Sequence, residues 1–131
     1  MNRELAEIIK NSTFTVAAGR FVYIKAASLP TGGGHFMVTQ DQDEITVVTQ
    51  EDNLSQVDFI EKNKDFYKLI ALNVSVPFYC VGFLEAISEG ISAAGLNILI
   101  ISTYSKDYIM VKDDCWFQAR KVLLKLGFQE Q

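Results

Sequence analysis

The stretch FYKLIALNVSVPFYCVGFLEAISEGISAAGLNILIISTYSKDYIMVKDDCWFQARKVLLKLG, residues 66–127, decides the fold. It opens on a long apolar β run, residues 66–76, which Pro77 stops because a proline cannot donate to a strand ladder. Val81, Leu84, Ile87 or Ser88, Ile91 and Ala94 then recur at spacings of three and four, one face of a helix, with Gly95 suited to its C-terminal stop. Residues 96–103 form a second β run, and Asp107–Lys112 is its hairpin partner. Asp113 and Asp114 favour a helix start, Ala119, Val122, Leu123 and Leu126 line its face, and Lys125 precedes the stop at Gly127. Residues 128–131 suit a short last strand. The order βαββα(β) is a split βαβ, ferredoxin-like pattern.

Working outward, residues 1–10 place Leu5, Ile8 and Ile9 at helical spacing, with Glu4 and Glu7 near the start. From Phe21 to Ala26 the pattern is β, followed by the loop Pro30–Gly34. Phe36–Gln40 and Glu44–Gln50 flank Asp41–Asp43 as a hairpin. Residues 51–64 are the most polar part of the chain, read as a short helical turn and a connector.

Composition agrees with a folded domain. The 131 residues are 49% hydrophobic and 21% charged, outside the range of disordered chains. The net charge is −4: residues 1–65 carry 6 basic and 10 acidic side chains, residues 66–131 carry 6 of each. Without a Lys/Arg cluster there is no footprint for nucleic acid. The uncharged runs Leu69–Leu84 and Gly90–Ser105 span 16 residues each, short of a membrane crossing and broken by proline or glycine. The first ten residues lack the apolar run of a secretory signal, so the expected compartment is the cytoplasm.

Chemistry-bearing motifs are few. Cys80 and Cys115, 35 positions apart in apolar surroundings, read as buried, inert thiols; with a single histidine, His35, no metal set forms. His35 reads as an exposed loop residue. Gly32–Gly34 precedes a strand and lacks the ending of a phosphate loop, and Asp41 and Asp43 lack the glycine of a calcium loop. Glu85 and Glu89 fall on the wet face of a helix. No catalytic constellation emerges, and no cofactor is expected.

The second half resembles an ACT domain of the kind that regulates aspartate kinases and forms arginine sensors. The resemblance rests on Val76-Pro77-Phe78, Val81-Gly82-Phe83-Leu84, Ala94-Gly95-Leu96-Asn97-Ile98, and Ile101-Ser102-Thr103-Tyr104 followed by Asp107–Val111. The first half is similar, faintly, to a degenerate ACT-like unit that lacks the Gly-Phe-Leu helix entry and the Ser-Thr-Tyr turn. The resemblance implies an α+β protein of two fused ferredoxin-like (βαββαβ) units with antiparallel sheets, 1–65 degenerate and 66–131 an ACT domain.

It also implies a non-catalytic regulatory module that binds a small molecule, an amino acid above all, at an interface between ACT units, with side-by-side homodimers as the expected assembly. Val81, Gly82, Phe83, Ser102, Thr103, Tyr104 and Asp107 are the ligand-binding candidates. The amides of a helix's first turn suit a carboxylate, Gly82 admits close approach, Ser102 and Thr103 add hydroxyls, and Asp107 suits an ammonium group or a basic side chain. Two bland readings stand beside these: Asp107 as a turn residue accepting backbone hydrogen bonds, and Gly82 as a packing glycine. The alternative for the whole chain is an ACT scaffold that dimerises or docks on a partner without ligand; a small enzyme with a pocket invisible in sequence is a third.

Overall fold

The computed structural model describes residues 1–75 and 81–131. The expected strand end at Val76-Pro77, the aromatics Phe78 and Tyr79, and the buried thiol of Cys80 lie outside the described residues. The chain forms two compact units, residues 1–17 with 68–131, and residues 18–67. The sequence divides at residue 65, whereas the units divide twice. The cause is the opening segment: Leu5, Ile9 and Phe14 are buried in the core of the second half, with Ile70, Leu72, Ile87 and Leu123.

In the first unit, α1 (Arg3–Lys10) is capped by Asn2, whose Oδ1 accepts from the Leu5 amide at 2.7 Å. β1 (Thr13–Val16) follows, then β6 (Tyr67–Asn73), whose first residue falls in the other unit, α2 (Phe83–Ala93), β7 (Leu99–Ser102), β8 (Asp107–Lys112), α3 (Trp116–Leu126) and β9 (Gln129–Glu130). The strands run in the order β9-β1-β6-β8-β7. β1 is antiparallel to β6 and parallel to β9, and β7 is antiparallel to β8. The ferredoxin-like order read from residues 66–131 is present, with β1 inserted between the first and last of its strands.

The helices bury apolar stripes against Phe14, Ile70, Leu72, Ile109 and Val111. Phe14 meets Trp116 and Phe128 edge to face. α2 and α3 approach closely at Gly90, where an added Cβ would lie 3.0 Å from Val122 Cγ1, so a larger residue would wedge the helices apart. A single turn of 3₁₀ helix at Asp113–Cys115 leads into α3, and Gly127, at φ 119°, ends it.

The second unit is β2 (Phe21–Ala26), β3 (Met37–Gln40), β4 (Ile45–Gln50), a 3₁₀ segment Glu51–Gln56 and β5 (Phe59–Lys62). The order is β3-β4-β2-β5, antiparallel throughout. Val22, Ile24, Ala26, Val47 and Val57 form its core. The degeneracy of the first half thus goes beyond missing motifs: residues 18–67 hold no α-helix. The connector expected at 51–64 contains β5, a strand with no buried residue and hence no visible alternation. β1 was likewise unforeseen. Among the described residues no helix is long and apolar enough to cross a membrane.

Two residues depart from expectation. His35 is half-buried, with Nδ1 3.0 Å from the hydroxyl of the fully buried Thr49, because the glycine loop folds back on β4. Cys115 is half-buried rather than buried, since it sits in the 3₁₀ turn before α3 and not on the helix's inner face.

Candidate functional site

A cleft of about 570 Å³ opens in the first unit between the end of β6, the first turn of α2 and the β7–β8 turn. Its volume falls within the roughly 300–1,000 Å³ of small-molecule sites. Leu72 and Phe83, both buried, supply an apolar floor. Asn73 and Val74 border it from β6, Gly82, Leu84 and Glu85 from α2, and Ser105, Lys106 and Asp107 from the turn.

Local sequence explains each wall. Gly82 occupies the position before α2 at φ 85°, a left-handed conformation that L side chains adopt only with strain. Having no side chain, it contributes no capping oxygen to the amides of the first helical turn, which have no acceptor within the helix. The positive end of the helix dipole lies behind them.

The opposite wall is a tight hairpin. Ser102 is registered with Asp107, the Thr103 amide donates to Lys106 O at 2.8 Å, and the Thr103 hydroxyl donates to the same oxygen at 3.1 Å. Tyr104 and Ser105 form the tip. The Asp107 carboxylate accepts from the Ser102 hydroxyl at 2.5 Å through Oδ1, a bond that spans the hairpin, and accepts no backbone hydrogen bond among the described residues. Oδ2 has no protein partner among the described residues.

Of the seven residues singled out by sequence, the cleft brings together Gly82, Phe83 and Asp107, and Ser102 reaches it through Asp107. Thr103 is spent on the turn. Val81 and Tyr104, 90% and 96% exposed, do not line the cleft but adjoin lining residues Gly82 and Ser105. The sequence reading missed Leu72, Asn73 and Val74, Leu84 and Glu85, and Ser105 and Lys106. The alternation of β6 puts Leu72 inward and Asn73 outward at the strand's end, the one signal that marks it as a rim residue.

The second unit has a groove of about 540 Å³ with a different lining: Lys25, Lys62 and Lys64 interleave with Glu44, Glu61 and Asp65. Unlike the cleft, which borders the first turn of α2, this groove has no helix start beside it, since residues 18–67 hold no α-helix. No three His, Cys, Asp or Glu side chains gather into a metal set among the described residues.

With this geometry in place, residues 62–125 match the family model described as the ACT domain. The part of the chain that forms the cleft is thus similar to an ACT domain. A Vibrio cholerae protein of unknown function, described as a possible transport protein, shares its fold over 95% of this chain and 97% of that one, at 18% identity and a TM-score of 0.80. An Agrobacterium tumefaciens protein does so over 92% of both chains, at 19% identity and a TM-score of 0.71. The ligand-free regulatory subunit of aspartate kinase from Thermus thermophilus superposes on 86% of this chain and 95% of its own, at 9% identity and a TM-score of 0.62. No curated protein gives a significant match.

In fold this chain is related to the regulatory domains of aspartate kinases. The matched segment holds every residue lining the cleft. It leaves out α1 and β1, which nevertheless belong to the same compact unit.

Proposed function

We propose that this chain is a non-catalytic regulatory module that binds a free amino acid in the cleft of its ACT domain. One observation carries the reading: the Asp107 carboxylate and the first turn of α2 border the same cleft. An amino acid presents an ammonium group and a carboxylate on one carbon. Asp107, steadied by Ser102, is the partner for the ammonium, and the amides of α2's first turn are the partners for the carboxylate. Leu72 and Phe83 take the aliphatic part of the side chain. Val81, Thr103 and Tyr104 remain part of the proposed site as its rim.

Exposure of Val81 and Tyr104 beside the cleft supports an interface at its mouth, where a second copy of the chain completes the site. Output then follows from differential affinity, the ligand favouring one association state over another. The compartment that goes with this reading is the cytoplasm. The same exposed pair also favours a second reading, an ACT scaffold that docks on a partner without ligand.

A thermal-shift screen against the twenty amino acids separates the two. A ligand at a hundred times its Kd adds about 2.7 kcal/mol, several degrees for a domain of this size. No shift with any amino acid sinks the sensor and leaves the docking scaffold.

A further inference from the structure

α1 lies outside the matched ACT segment, yet it and the residues that follow it lie against two of the cleft's three borders, the end of β6 and the start of α2. At its C-terminal end, the Ser12 hydroxyl donates to the Ile8 carbonyl at 2.6 Å and accepts from the Ser75 amide at 3.0 Å. Ser75 directly follows the cleft residue Val74, and its own hydroxyl lies 3.3 Å from Ile8 O. Ser12 is 1% exposed, one of two buried polar residues among those described. A buried hydroxyl with both its donor and acceptor committed is costly to disturb. At the N-terminal end, Leu5 is buried in the same cluster as Phe83, the first residue of α2, and its Cδ2 lies 3.7 Å from where a Cβ on Gly82 would sit, so it packs beside the start of α2.

The helix itself is weak. Eight residues are too few for a stable helix in water, and its buried anchors are Leu5 and Ile9. Its existence therefore depends on docking. An element that folds only when docked, and that docks beside two borders of a cleft, has its stability tied to the spacing of those borders.

We infer that α1 is a positioning arm: Ser12, Ser75 and Leu5 couple its docking to the spacing between the end of β6 and the first turn of α2, so that a ligand seated there stabilises docked α1. The ligand half of this statement rests on the amino-acid reading above; the coupling half does not.

The test is amide hydrogen exchange on the full chain. Without ligand, Ser12→Ala speeds exchange about tenfold in α1 and in the amides of Ala86 and Ile87, the first that the helix α2 itself hydrogen-bonds, the effect of roughly one buried hydrogen bond. β2 and β4 stay unchanged, and Ser12→Thr, which keeps the hydroxyl, restores both segments. Faster exchange in α1 with Ala86 and Ile87 at the wild-type rate overturns the coupling, and so does a uniform rise across both units. If Ser12→Ala does not fold, Ser75→Ala removes only an exposed hydroxyl and raises the same two segments about two- to threefold; an unchanged profile overturns the inference.

In the second arm, the amino acid giving the largest thermal shift slows exchange in α1 of the wild type and much less in Ser12→Ala. Equal slowing in both overturns the arm's role. If no amino acid shifts the melting temperature, the functional reading fails while the ligand-free arm still decides the coupling.

Discussion

The two units use the same strand chemistry to different ends. Residues 18–67 make four antiparallel strands around a small aliphatic core, and residues 1–17 with 68–131 make five strands covered by three helices. Only the helical unit can present a helix N-terminus beside a hairpin carboxylate, and there the cleft of opposed polarity forms. The groove of the strand unit has comparable volume but alternates lysines with carboxylates along exposed strand edges. Volume alone does not make a candidate site; a start of helix facing a charge does.

The largest expected effect tests which unit carries the stability. Phe14→Ala removes a fully buried ring packed edge to face on Trp116 and Phe128, and it costs about 3–5 kcal/mol in urea unfolding. Ile24→Ala, in the smaller core, costs about 2 kcal/mol. Equal losses break the contrast between the cores.

A substitution at the cleft comes next. Gly82→Ala meets Leu5 only at ordinary contact distance, so its cost comes from the left-handed backbone, about 1–2 kcal/mol as a fall in melting temperature. The Gly34→Ala substitution, at φ 87° in the loop of the other unit, carries the same backbone cost with no effect on amino-acid response. Smallest is the Arg20–Glu51 pair of the strand unit, 2.7 Å apart and roughly 40% exposed. Glu51→Gln costs about 0.2–1 kcal/mol at low ionic strength, and denaturation in high salt shrinks the difference.

Legibility in the sequence followed locality. β2 and β8 appear at the residues read from alternation, and the Asp41–Asp43 hairpin tip is closed by Asp41 accepting from the amides of Asp43 and Glu44. β1 was invisible because a four-residue TFTV segment with one buried side chain owes its strand geometry to partners nearly sixty and more than a hundred residues away, Asn73 and Gln129. β5 gave no alternation because neither of its faces is buried. The docking of α1 on the second half is likewise a long-range fact: Leu5 and Ile9 mark an apolar face without naming what it covers.

The site divides in the same way. Gly82 and Asp107 stood out by residue type, one for its backbone freedom and one for its charge, and the fold places both at one cleft. Lys106 and Asn73 carry no such mark, since a turn lysine and a strand-end asparagine are ordinary until the walls meet. His35 joined Thr49 through a tertiary contact that no local pattern encodes.

The most direct measurement is the melting temperature of the wild type and of Asp107→Ala across the twenty amino acids. Asp107 is half-buried, with the Ser102 hydroxyl as its partner, so its loss alters stability by no more than about 1 kcal/mol. The account predicts that at least one amino acid raises the wild-type melting temperature by several degrees and leaves Asp107→Ala unmoved. A shift of equal size in both proteins, or no shift in the wild type with any amino acid, contradicts it.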